Sequence, residues 1–180
     1  MGWVLDKHSV KSTYVRDNSF GRPQFDTTRT EAGEATYQLK YRSQWDRVPI
    51  LAHALAEHIW PKFEAVGFVV PMPPSTDRNR QPVNEVAQEL GRLKAVPVFE
   101  GLLLRTATDK PLKDMKLKDE KIAALHGRFR IEDEISNDGR WNVLLLDDLF
   151  DTGASMETAA TALKTYGKVR RIYVAALTWK

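Results

Sequence analysis

A chain of 180 residues, 42% hydrophobic and 28% charged, is the size of one domain with a real apolar core. Its net charge of +3 is too mild to argue for nucleic acid as a direct ligand, but it suits a small anionic ligand if the positive charge is gathered in one place. The absence of Cys excludes disulfides, thiolate metal sites and a Cys nucleophile.

Met1 to Val10 holds no apolar stretch of the signal-peptide kind, and the apolar runs are too short to span a bilayer. The expectation is a cytoplasmic protein without a membrane partner. Residues 1–45 differ in character from the rest. Val4 to Val15 alternates loosely, Asn18 to Gly33 is polar, and Ala35 to Tyr41 reads as strand. These predict a small β-rich segment placed before a core of residues 46–180.

From Pro49 onward, helix and strand signals alternate. Leu51, Ala54, Leu55 and Ile59 recur at helical spacing before Pro61. His53 and His58 fall five apart on that helix and face different ways, so His ligation of a metal is not expected. Gly67 to Val70 is a short buried-strand run, and Pro71, Pro73 and Pro74 then force a loop. Val83, Val86, Ala87 and Leu90 mark a second helix, with Pro82 at its start and Gly91 at its predicted end. Val98 to Leu104 reads as the next strand, and Arg128 to Ile131 as a short one.

Between Arg105 and Arg130 lie eight Lys or Arg against four Asp or Glu. This is either a solvated helix face or a lid that closes over a site and excludes water. The clearest unit follows: strand Val143 to Leu146, loop Asp147 to Ser155, and a helix with Met156, Ala159, Ala160 and Leu163 on one face. Gly167 ends that helix, and Ile172 to Leu177 is another buried strand. The predicted fold class is α/β: a mostly parallel sheet with flanking helices, its ligand site beyond the carboxyl ends of the strands.

The loop Asp147 to Ser155 carries the chemistry. Thr152, Gly153, Ala154 and Ser155 open a helix whose free N–H groups and dipole favour a phosphate. Asp147 and Asp148 repel each other after a buried strand and call for hydroxyl donors or a cation. A ribose 5-phosphate satisfies both halves. An Asp-x-Asp phosphatase motif does not fit, since two residues separate Asp148 from Asp151.

The run Val143-Leu144-Leu145-Leu146-Asp147-Asp148-Leu149-Phe150-Asp151-Thr152-Gly153-Ala154-Ser155 resembles the phosphoribosyl-diphosphate signature of type I phosphoribosyltransferases. The resemblance implies that Asp147 and Asp148 hold the ribose 2′ and 3′ hydroxyls. It places Asp151 to Ser155 around the 5′-phosphate, with Mg²⁺ bridging sugar hydroxyls and pyrophosphate, so that Asp147 and Asp148 meet the metal only through the ligand. Asp151 resembles the acid/base residue of the hypoxanthine, guanine and xanthine enzymes. A helix N-terminal Asp stabilised by the dipole is the competing reading.

Leu39-Lys40-Tyr41, Val70-Pro71-Met72-Pro73-Pro74-Ser75, Asn84 with Ala87-Gln88-Glu89-Leu90, and Leu104-Arg105-Thr106 are similar, in order, to the ComF-like branch. That likeness spans residues 39–178. Its Arg-Gly-Phe-Asn-Gln motif is matched only in part by Arg80-Gln81-Pro82-Val83-Asn84, and its zinc module is missing. By the same resemblance Met72, Pro73, Arg78, Arg80 and Arg105 would bind pyrophosphate. Trp179 and Lys180 would touch the base, and the N-terminal segment would be a hood over the second substrate. Trp3, Tyr14, Phe20, Trp45 and Trp179 are the candidates to stack on a base. The implied function is transfer of ribose 5-phosphate to a nucleobase-like acceptor, purine-like favoured. The alternative is a non-catalytic nucleotide-binding regulator or DNA-uptake accessory. Homodimers are common in the family.

Overall fold

The computed structural model describes residues 1–76, 78–106, 112, 115 and 117–180. Four parallel strands form the main sheet in the order β1 (Gly2–Lys7), β8 (Val169–Trp179), β7 (Trp141–Phe150) and β4 (Val66–Pro71). Beyond β4, residues 97–99 add a short parallel rung: Val69 N–H donates to Pro97 O and Phe99 N–H to Val69 O, each at 3.0 Å. This is the α/β architecture expected from the alternating pattern.

The period-2 alternation of β7 divides two apolar layers. Leu144 and Leu146 face helices α1 (Glu31–Arg42), α2 (Arg47–Ala54) and α3 (Pro82–Lys94), through Leu39, Leu51 and Leu90. Val143 and Leu145 face α4 (Lys118–Leu125) and α5 (Ala154–Lys164), through Leu125, Ala159 and Leu163. Both layers are closed to water, and each buried Leu contributes about 2 kcal/mol of transfer free energy.

Several expectations are corrected. Ala35 to Tyr41 is helix, not strand. The Thr30 hydroxyl accepts from Gly33 N–H at 3.0 Å, Glu31 and Glu34 suit the first turn, and Thr36 and Leu39 turn inward at helical spacing. Gly33 lets α1 lie against the backbone of His8, since a Cβ there would sit 2.0 Å from His8 O. Strand β1 belongs to the main sheet, while β2 (Ser9–Asp17) and β3 (Pro23–Arg29) form a largely exposed antiparallel hairpin.

Helix α2 starts earlier than its apolar spacing implied and continues through a π-helical turn, Leu55–Ile59, into a 3-10 turn, Trp60–Lys62, that passes Pro61. Helix α3 passes Gly91, which is small because Val98 packs on it, and ends at Ala95 with φ 53°. The predicted strand Val98 to Leu104 is split. Its second part, β5 (Leu103–Arg105), pairs antiparallel with β6 (Phe129–Ile131). Part of the predicted lid lies outside the described residues; its latter part includes α4.

Candidate functional site

The predicted loop Asp147 to Ser155 is shorter than expected, because β7 stays extended to Phe150. Strand β8 pairs with it as far as Phe150 and Trp179, Lys180 N–H donates to Phe150 O at 3.0 Å, and the Thr178 hydroxyl donates to Asp148 O at 3.0 Å. Only Asp151, Thr152 and Gly153 remain between strand and helix. Extension has a chemical consequence: consecutive residues of a strand point to opposite faces. The two neighbouring carboxylates are therefore divided between the two layers.

Asp147 turns toward the α4–α5 side. Burial first, and then the neighbouring Asp148, push its carboxyl up to about 7. The Asp148 N–H donated to its Oδ1 at 2.8 Å, together with Lys40 and Arg105, pulls the other way. Asp148 faces α1, where its Oδ2 is paired with the Lys40 ammonium. Burial works against the charge on Lys40, but the Asp148 carboxylate outweighs it and raises the lysine pKa.

Gly153 makes the turn into α5 with φ 79°, and a Cβ there would lie 2.9 Å from Phe150 Cζ. The first-turn N–H groups of α5 have no intrahelical acceptor. They border a cavity of about 150 Å³ lined by Asp147, Leu149, Thr152, Gly153, Ser155 and Lys121. Lys121 is buried and its Nζ lies 2.5 Å from Asp151 Oδ2, while Lys118 pairs with Glu157 at 2.6 Å. Helix α4 is thus pinned across the start of α5. The sequence offered no signal for Lys121 beyond its place in a lysine-rich segment.

The other predicted residues are distributed as follows. Asp151, Thr152, Gly153, Ala154 and Ser155 all line the cavity with Asp147. Arg105, at the end of β5, is half-buried; burial lowers its pKa and the charge of Asp147 opposes that. Met72 and Pro73 are buried, with Met72 N–H donating to Leu146 O at 2.8 Å, so they extend the sheet edge. Arg78 and Arg80 line a separate cavity of about 270 Å³ with Lys40, Ser43, Trp45 and Pro82. There Arg78 donates to Lys40 O at 2.9 Å. Arg80 spends its fork on Glu85, at 2.9 and 2.6 Å, and stacks 4.1 Å over Trp45. Trp179 sits in register between Phe150 and Lys7, half-exposed, with the Lys7 ammonium 5.1 Å from its ring. Lys180 follows it, exposed. Of the remaining aromatics, Tyr14 meets Phe25 edge-on at 6.0 Å, Trp3 carries Lys62 at 4.5 Å, and Phe20 is exposed in the hairpin turn.

Among the described residues no group of three or more His, Asp or Glu could hold a metal ion by itself. A cation here would be held through ligand oxygens. The donor chemistry fits that role: carboxylate oxygens are hard donors, and the raised Asp147 carboxyl lacks a full positive counterpart.

No family model matches the chain, and no curated protein matches it. Solved structures do. The adenine phosphoribosyltransferase of Saccharomyces cerevisiae is 12% identical, with a TM-score of 0.45, over 92% of this chain and 83% of that one. That of Thermoanaerobacter pseudethanolicus is 12% identical with a TM-score of 0.42, over 94% and 95%. Leishmania donovani UMP synthase is 14% identical with a TM-score of 0.40 over 91% of this chain, which spans 28% of that enzyme.

Proposed function

We propose that this protein is a Mg²⁺-dependent phosphoribosyltransferase that moves ribose 5-phosphate from phosphoribosyl diphosphate to a nitrogenous, purine-like base and releases pyrophosphate. The carrying observation is convergence in one cavity of a half-buried carboxylate, a glycine turn into a helix N-terminus, two hydroxyl side chains and a buried lysine. Those groups match a sugar phosphate: N–H donors and Lys121 for the phosphate and Asp147 for a sugar hydroxyl, with Asp148, on the α1 side, proposed for the second hydroxyl.

The reaction breaks the C1′–O bond and develops positive charge on the ribose ring. Asp147, which lines the cavity, is the residue whose negative charge rises in value as that cation forms. The sugar hydroxyls donate to Asp147 and bring its pKa back down. Thr152, Gly153 and Ser155 fix the phosphate, which positions C1′. Asp147 and Asp148 would hold Mg²⁺ through ligand oxygens, and the ion would supply charge neutralisation for the departing diphosphate. Met72, Pro73, Arg78, Arg80 and Arg105 are the proposed diphosphate side, Trp179 and Lys180 the base side. Asp151 is the proposed acid/base toward the base, and the β2–β3 hairpin the hood of residues 1–45. No helix among the described residues is long and apolar enough to cross a membrane, and a cytoplasmic site of action is part of the proposal.

A second reading, a phosphoribosyl-diphosphate or nucleotide sensor or a ComF-like accessory to DNA uptake, is favoured by one observation. Asp148 is taken by Lys40, Asp151 by Lys121 and Arg80 by Glu85, so three of the groups assigned to substrate are held by internal pairs. Calorimetric titration of phosphoribosyl diphosphate with Mg²⁺ into wild type and the Asp147→Asn/Asp148→Asn variant tests the site. Binding lost in the variant supports it, and no binding by folded wild type overturns it. Pyrophosphate release with a panel of nucleobases then separates enzyme from sensor.

A further inference from the structure

His8 follows β1 at the carboxyl edge of the main sheet, and no role has been given to it above. Asp148 on β7, Thr178 on β8 and His8 occupy neighbouring strands at this edge and form one hydrogen-bonded chain. The Thr178 hydroxyl is fully buried and donates its single proton to Asp148 O at 3.0 Å. A carbonyl only accepts, so the direction of that bond is fixed. The same hydroxyl lies 3.2 Å from His8 Nδ1 and has only lone pairs left to offer. With that proton given to Asp148 O, Nδ1 is the donor to Thr178 and carries the ring proton. In the neutral ring, Nε2 is then an unprotonated base, and it has no hydrogen-bond partner among the described residues.

The ring is also held in place. His8 N–H donates to Trp179 O at 2.7 Å, and α1 packs on His8 O through Gly33. The charged groups around it come from every neighbouring element: Arg29 from β3, Lys40 from α1, Asp148 from β7 and Lys180 after β8. Burial first, then Arg29, Lys40 and Lys180, favour the neutral ring, and Asp148 alone opposes them. His8 is thus tied through Thr178 to the backbone of Asp148, a proposed ribose residue, and through its own N–H to that of Trp179, a proposed base residue.

We infer that His8 Nε2 accepts the N–H proton of the incoming base. As the acceptor nitrogen forms its bond to C1′, its proton passes to Nε2, and the C1′–O electron pair leaves with pyrophosphate. Asp148, itself paired with Lys40, is the one neighbour whose charge favours the imidazolium that results. Thr178 is the positioning residue, since it sets the tautomer. In this inference His8 takes over the acid/base role given above to Asp151, whose carboxylate is held by Lys121 on the α4–α5 side. This inference rests on the phosphoribosyl-transfer reading above.

Two measurements test it. In protein labelled with ¹⁵N-histidine, long-range ¹H–¹⁵N spectra at pH 7.5 should show His8 protonated at Nδ1 and bare at Nε2, with that preference lost in Thr178→Val. An Nε2–H tautomer in wild type overturns the inference. Adenine, hypoxanthine, guanine and uracil are then each added with Mg²⁺ and phosphoribosyl diphosphate. A turned-over base should lose about 100-fold or more in kcat/KM on His8→Ala, and the loss should shrink at high pH, where the free base ionises itself. Affinity for phosphoribosyl diphosphate alone should be unchanged in that variant. Full turnover by His8→Ala overturns the inference while leaving the proposed function standing. Where no base turns over, one of the four must still shift the Nε2 resonance, and the failure of all four overturns it. Absence of phosphoribosyl-diphosphate binding by wild type is the separate failure of the proposed function, and the inference falls with it.

Discussion

Replacing Asp147 by Asn should make the protein more stable above neutral pH while impairing its site. The Asp147 carboxyl is held at about 7 by burial and by Asp148, against an ordinary value of 3.8. A raised folded pKa on an acid means that the native state keeps a proton the unfolded chain has already released. Stability therefore falls as pH rises from about 4 to about 7. The gap is roughly 3 units, and at 1.36 kcal/mol per unit it amounts to about 4 kcal/mol at pH 8. Asn keeps the oxygen that accepts from Asp148 N–H and abolishes the ionisation. Urea unfolding followed by fluorescence, at intervals from pH 4 to pH 8, should give curves for wild type and Asp147→Asn that converge near pH 4 and diverge toward pH 8. Wild type should be the weaker by a few kcal/mol. Saturating phosphoribosyl diphosphate with Mg²⁺ should narrow the gap by stabilising wild type alone. Parallel pH profiles for the two proteins would refute the claim that Asp147 is a carboxylate held in a site that disfavours its charge.

Gly153→Ala puts a Cβ on a residue with φ 79° and within 2.9 Å of Phe150 Cζ, so it should cost about 1–3 kcal/mol in chemical unfolding and weaken phosphoribosyl-diphosphate binding in calorimetry. Lys121→Met keeps the buried stem but removes the ammonium that faces Asp151 and the cavity. Affinity for phosphoribosyl diphosphate should fall about tenfold, which calorimetry in low salt would read directly. Leu146→Ala, in the fully buried middle of β7, should lower unfolding free energy by about 2–5 kcal/mol.

Elements whose burial is set by their own side chains were legible in the sequence. Strands β4, β7 and β8 carry the apolar runs Phe68 to Val70, Val143 to Leu146 and Ile172 to Leu177, and α3 and α5 show their faces through Val86, Leu90, Ala159 and Leu163. Ala35 to Tyr41 was misread because Tyr37, Leu39 and Tyr41 alternate, while Thr36, Leu39 and Lys40 also fit a helical face. The deciding signals lay outside the window, in the Thr30 cap and the acidic first turn. The place of β1 in the sheet could not be read locally. Its partner strand, β8, begins at Val169, and a parallel pairing across that separation leaves no trace in the period of either segment. The length of β7 was hidden for the same reason, since β8, not β7, decides that Phe150 stays extended.

That one register choice reorganises the site. The sequence presents Asp147 and Asp148 as adjacent charges that need a shared cation, whereas the extended strand sends them to opposite layers and gives each a different environment. Asp148 meets Lys40 from α1 at once and is neutralised without a ligand. Asp147, on the α4–α5 side, has only partial compensation from Lys40 and Arg105, because the nearby Lys121 is committed to Asp151. The unliganded molecule is thus balanced on the α1 side and short of positive charge or hydroxyl donors around Asp147. A ligand that brings a phosphate to Lys121 and hydroxyls to Asp147 improves both interactions at once, because the phosphate releases Asp151 while the hydroxyls lower the Asp147 pKa. A ligand with only the phosphate relieves the first alone. Ribose 5-phosphate should therefore bind more tightly than inorganic phosphate above pH 7, where Asp147 ionises, and that advantage should vanish in Asp147→Asn. Competition calorimetry with the two ligands would measure it, and equal affinities at pH 8 would remove Asp147 from the sugar site.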